Sequence, residues 1–148
     1  MERGDKSGQF YLVGAIILIA FIIGFATISN YSKKMGGTKI IELGEELKVE
    51  GARVLDYNII NDEDKIEDFT ITFSEYAGED VEIYYIFGKE SGLELYNGTG
   101  FMSPLGSVDG KIQATIEGVG YDFDLKSGEN FYFVILQEIE GEYYIVTN

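Results

Sequence analysis

The chain of 148 residues has no histidine, no cysteine and no tryptophan, and it has a single proline. Each absence removes a chemistry. Without cysteine there is no thiol nucleophile, thiolate metal site or disulfide framework, and without histidine there is no imidazole base or ligand near neutral pH. Folding therefore rests on packing alone. Basic residues are scarce too: 11 Lys and Arg stand against 26 Asp and Glu, a formal charge of −15. Nucleic-acid binders need clustered Lys and Arg to release counterions, so a surface this acidic repels phosphate backbones and no nucleic-acid partner is expected. What is present is apolar: 45% hydrophobic and 14% aromatic residues are too many for a disordered acidic chain, and a packed core is expected.

The charge is unevenly placed. No charged side chain lies between Lys6 and Lys33, and Phe10 to Ile28 is almost wholly apolar, with Tyr11 and Thr27 its only hydrogen-bonding side chains. At about 1.5 Å per residue this run has roughly the length of a bilayer core, so a transmembrane helix over 9–34 is expected, with membrane lipids as partners. Lys33 and Lys34 after the run act as an interfacial stop, which favours a retained helix over a cleaved secretory signal. Residues 37–148 hold 7 basic and 24 acidic side chains, a charge of −17. Ala20 and Gly24 form a small-xxx-small pair, with Gly14 further up the helix, a spacing that lets helices approach closely.

The polar leader containing Lys6-Ser7-Gly8, then Gln9, then the long apolar run, resembles the class III signal peptide of archaeal type IV pilin-like proteins. The resemblance covers about residues 5–30. It implies cleavage between Gly8 and Gln9 of a leader spanning 1–8, with the helix kept in the mature chain and bundled with other copies into a filament core. Whether processed at Gly8/Gln9 or kept whole, the chain is expected to retain that helix.

Met35-Gly36-Gly37-Thr38 reads as a hinge, after which Ile40, Leu43, Leu47, Gly51, Val54, Leu55 and Ile59 recur at helical steps, so 35–62 is expected to be a hinge and an amphipathic helix. Its opposite face carries Glu42, Glu45, Glu46, Lys48, Glu50, Arg53 and Asp56. From Phe69 the period changes to two: Phe69, Ile71 and Phe73, then Val81, Ile83, Tyr85 and Phe87, predict strands. Further runs around Leu93, Ile112, Phe123, Phe133 and Tyr143–Val146, separated by turn residues, predict an antiparallel β-rich domain over 63–148. Asn97 to Asp109, with three glycines and Pro104, reads as a long loop. The fold class expected is thus α+β: an N-terminal transmembrane helix, a short amphipathic helix, then an antiparallel β-sandwich-like head.

Chemistry is sparse. Asp122 and Asp124 share one face of a predicted strand, as paired acid and base carboxylates would, but they alternate with Tyr121, Phe123 and Leu125, so water-facing acids are expected and no catalytic residue is assigned. Asp62-Glu63-Asp64 offers oxygen ligands but lacks the spacing and glycine of an EF-hand, so neither a metal nor a cofactor is expected. Asn97-Gly98-Thr99 is an N-glycosylation triplet in a predicted turn, and Asn30-Tyr31-Ser32 is a second triplet close to the expected membrane surface. Tyr84-Tyr85, Tyr132 and Tyr143-Tyr144 put rings on both faces of their strands.

Two functions follow as expectations. One is a non-enzymatic, pilin-like structural subunit of an archaeal cell-surface filament, a homo-oligomer through its N-terminal helix, with an acidic head for assembly or adhesion. The other is a single-pass membrane-anchored binding module that does not polymerise and meets a surface-layer or carbohydrate partner. Both place the chain in a cell membrane with an extracellular C-terminal domain, or in an extracellular filament.

Overall fold

The computed structural model describes the backbone of residues 6–61 and 64–148, and side chains at 15–20, 22, 23, 37–61 and 64–148. The chain divides into two compact units, Met1–Gly36 and Gly37–Asn148.

Helix α1 comprises Lys6–Asn61. Within the first unit its described side chains are apolar and exposed, from Ala15 through Ile23. Among the described residues no helix is long and apolar enough to cross a membrane. That overturns the expected transmembrane helix over 9–34 and, with it, the single-pass membrane placement.

In the second unit the helical assignment passes through Gly37 and Thr38, where a hinge was expected. A Cβ on Gly37 would stand in ordinary van der Waals contact with the Tyr144 ring, at 3.4 Å. Ile40, Leu43 and Leu47 are buried, as their spacing requires, while Ile59 is 66% exposed. The solvated face carries ion pairs one turn apart, Glu45 with Lys48 at 2.9 Å and Glu50 with Arg53 at 2.6 Å.

Helix α2, Ile66–Ala77, replaces the strand expected from Phe69, Ile71 and Phe73. Its buried residues are Thr70, Phe73 and Ala77, which fall on one helical face, and Ile71 and Thr72 turn away from it. The Asp64 carboxylate accepts from the Ile66 N–H at 3.0 Å and so helps start the helix.

The strands form two antiparallel sheets. The larger contains β1 (Glu82–Lys89), β2 (Gly92–Asn97), β3 (Gly100–Leu105), β7 (Asn130–Ile139) and β8 (Glu142–Thr147), in the order β3-β2-β1-β7-β8. The smaller contains β4 (Ser107–Val108), β5 (Lys111–Ile116) and β6 (Val119–Asp124), in that order. The segment Asn97 to Asp109 is therefore mostly strand. Pro104 is accommodated because β3 lies at the sheet edge, where a missing N–H breaks no interior ladder.

Each face of the large sheet has its own core. Ile83, Tyr85, Phe87, Phe133 and Ile135 pack with Ile40, Leu43 and Leu47 of α1 and Phe73 of α2. Tyr84, Ile86, Tyr132, Val134 and Leu136 pack with Ile112, Ala114, Ile116 and Phe123 of the small sheet. This double burial explains why β1 and β7 read as near-continuous apolar runs.

Candidate functional site

A cleft of about 700 Å³ lies in the second unit where the β7–β8 end of the large sheet meets the β5–β6 hairpin. Leu136, Ile145, Ile116 and Val119 give it an apolar floor, and Tyr121 and Tyr143 add rings. Five carboxylates surround them: Glu79, Asp80, Glu82, Glu117 and Glu138. No Lys or Arg is among the lining residues.

Local structure explains the assembly. Glu117 and Gly118 form the two-residue turn joining β5 to β6, with φ of +50° and +78°, as type I′ hairpins require. Glu117 is held against the large sheet by Tyr84, whose hydroxyl donates to Glu117 Oε1 at 2.8 Å and lies 3.4 Å from Glu82 Oε2. Burial first, then the Glu117 hydrogen bond and the nearby negative charges, push the Tyr84 phenol well above its ordinary range, so it stays protonated as a donor. The Tyr143 phenol is pushed up as well, chiefly by hydrogen bonding to Glu138. Asp80 behaves in the opposite sense. Its hydrogen bond to Lys39 Nζ, at 3.0 Å, holds the carboxyl below its ordinary value, and the buried Gln137 donates from Nε2 to its other oxygen at 2.7 Å.

Such a cleft attracts cations, and the apolar floor adds affinity for those that carry alkyl surface. Among the described residues no group of three or more acidic side chains is arranged to hold a metal ion.

The residues singled out in the sequence do not converge on this cleft. Asp122 and Asp124 are exposed on β6, and Asp124 pairs with Lys111. Asn97 sits at the β2–β3 turn, where its Oδ1 accepts from the Thr99 N–H at 2.9 Å and the Thr99 hydroxyl at 2.7 Å. Ala20 is exposed on α1. The side chains of Gly8, Gln9, Gly14, Gly24 and Asn30, and Asp62 and Glu63 of the acidic turn, lie outside the described residues. Conversely, the cleft residues are scattered from 79 to 145 and carry no local motif. Only the alternation of β7 and β8, which places Leu136 and Glu138 on one face with Tyr143 and Ile145, hinted at them.

Comparisons with protein-family models, with curated proteins and with solved structures return no match.

Proposed function

We propose that the protein is a non-enzymatic structural subunit, pilin-like in plan, whose copies associate through the apolar N-terminal part of α1 and present the unit Gly37–Asn148 as an acidic head. One observation carries this reading. Ile16, Ile17, Leu18, Ile19, Ile22 and Ile23 are each between 52% and 62% exposed, and at 3.6 residues per turn they surround the helix. A helix apolar all round requires burial. Copies of the same segment supply it, each covered Leu or Ile contributing about 1.5–3 kcal/mol. The charge of −17 on residues 37–148 keeps the heads apart and the assembly soluble. The absence of His and Cys, and the solvated positions of Asp122 and Asp124, support a role in surfaces over one in catalysis. Sedimentation of the full chain with and without Ile19→Glu and Ile22→Glu tests the reading.

The acidic cleft favours a second reading, a binding module for a cationic chain with alkyl segments. Calorimetry with spermine as the probe tests it. Binding that weakens in Glu117→Gln and Glu138→Gln, and with added salt, supports it, and no heat of binding at low salt contradicts it.

A further inference from the structure

The two sheets guard their edges unequally. On β3, Pro104 removes a donor and a register shift between Leu95 and Tyr96 disturbs the pairing. Strand β4 is two residues long, and β6 carries Asp122 and Asp124. These are the usual devices against edge-to-edge association. The outer edge of β8 has none: Tyr143-Tyr144-Ile145-Val146-Thr147 is uncharged, free of proline and glycine, and built from aromatic and β-branched residues that suit a strand.

The direction of its free backbone groups can be read from the register. Ile139 pairs with Glu142 across the two-residue turn Glu140-Gly141, which places their backbone groups toward each other. The same phase is fixed at the far end, where the Phe133 N–H donates to Asn148 Oδ1 at 2.8 Å and the Phe131 carbonyl accepts from Asn148 Nδ2. Glu142, Tyr144 and Val146 therefore bond to β7, and the N–H and C=O groups of Tyr143, Ile145 and Thr147 point outward.

We infer that β8 pairs with β8 of a second copy, antiparallel about a twofold axis at Ile145, to join two large sheets into one. With Ile145 opposite itself, Tyr143 falls opposite Thr147 and Tyr144 opposite Val146. The outward groups of the two strands then exchange roughly six hydrogen bonds. Every cross-strand pair is aromatic with β-branched or β-branched with itself, the combinations that stabilise antiparallel sheets. Glu142, the only charged side chain of the strand, falls opposite the uncharged side chain of Asn148. An isologous contact of this kind closes at the dimer. It uses a different segment from α1 and stands whether or not α1 associates.

Because the chain has no cysteine, a single introduced thiol reports on the seam without background. The full chain carrying Ile19→Glu and Ile22→Glu, which removes association through α1, is labelled with a nitroxide at Ile145→Cys, at Thr147→Cys or at the exposed Val108→Cys. Strong dipolar broadening at Ile145→Cys, weak broadening at Thr147→Cys alone, and broadening restored by mixing Thr147→Cys with Tyr143→Cys is the expected result. The Ile145 pair lies about 5.5 Å apart between Cα atoms, whereas two Thr147 residues are offset by four positions along the seam, about 13 Å. Adding Ile145→Pro to the Tyr143→Cys and Thr147→Cys mixture should abolish the signal while circular dichroism stays native, since the lost N–H serves no bond within the chain. Added NaCl should strengthen the broadening by screening the repulsion between the heads. No broadening at Ile145→Cys at high salt and several hundred micromolar protein, or equal broadening at all sites, overturns the proposal.

Discussion

Gly51 of α1 lies against the ring of Phe131 of β7 so closely that a Cβ on Gly51 would stand 2.8 Å from Phe131 Cδ1 and nearer still to the adjacent ring atoms. Two helical turns earlier, a Cβ on Gly44 would come within 2.9 Å of Val146 Cγ1. The helix reaches the large sheet on a glycine stripe at seven-residue spacing, with Ile40, Leu43 and Leu47 filling the space beside it.

Gly51→Ala should therefore destabilise the head despite the higher helix propensity of alanine. Overpacking of this kind costs about 1–3 kcal/mol, more than the ~1 kcal/mol that propensity returns. Urea unfolding of the full chain measures it. Phe131→Leu in the same chain should recover part of the loss, because it withdraws the atoms in conflict.

Leu47 is fully buried between α1 and the large sheet, and Leu47→Ala should lower stability by about 2–5 kcal/mol. Ile59→Ala, on the exposed end of the same apolar stripe, should change it by under about 0.5 kcal/mol. Chemical denaturation of both variants distinguishes a stripe that ends with the sheet from one that is covered along its length.

The alkaline limb of stability should be dominated by Tyr84, Tyr85 and Tyr96. Burial is the largest cause in each, and it raises all three above the ordinary value of 10.0. A raised folded value means that their contribution is complete below the unfolded value and is lost as pH rises toward the folded one. Stability should fall above about pH 10, and absorbance titration should show these phenols ionising only with unfolding. Tyr84→Phe should make the decline shallower and also release Glu117, a loss of about 1.5–3 kcal/mol for a hydrogen bond to a charged group.

The acid limb has the reverse sign at Asp80. Lys39 holds its carboxyl below the ordinary 3.8, so the stabilisation is present above that value and disappears as pH falls through the lower folded value. The pair is exposed, so Asp80→Asn should flatten the acid limb only slightly. A steep acid transition unchanged by Asp80→Asn locates the titration in other carboxylates.

How far the sequence announces this fold depends on the range over which each signal acts. The near-continuous apolar runs Val81–Phe87 and Phe131–Ile135 identify strands covered on both faces. Alternation at Phe69, Ile71 and Phe73 misleads, since Phe69 and Phe73 also stand four apart and the tertiary core takes that helical reading. Gly36-Gly37 suggests a hinge because glycine's conformational freedom is visible locally, whereas the place of Gly37 beside Tyr144 depends on a residue more than a hundred positions away. The acidic cleft is legible only through the alternation of β7 and β8, because hairpin geometry and the Tyr84 hydrogen bond gather its other members. The apolar run 10–28 is legible at once, but among the described residues no helix is long and apolar enough to cross a membrane.

The most direct test of the account is sedimentation velocity of the full chain in detergent-free buffer, compared with the chain carrying Ile19→Glu and Ile22→Glu. Association through the apolar part of α1 predicts high-mass assemblies for the native sequence and a collapse to monomers and dimers for the variant, with the circular dichroism of the head unchanged. A native chain that stays monomeric at several hundred micromolar, or assemblies of the same mass in the variant, would contradict it.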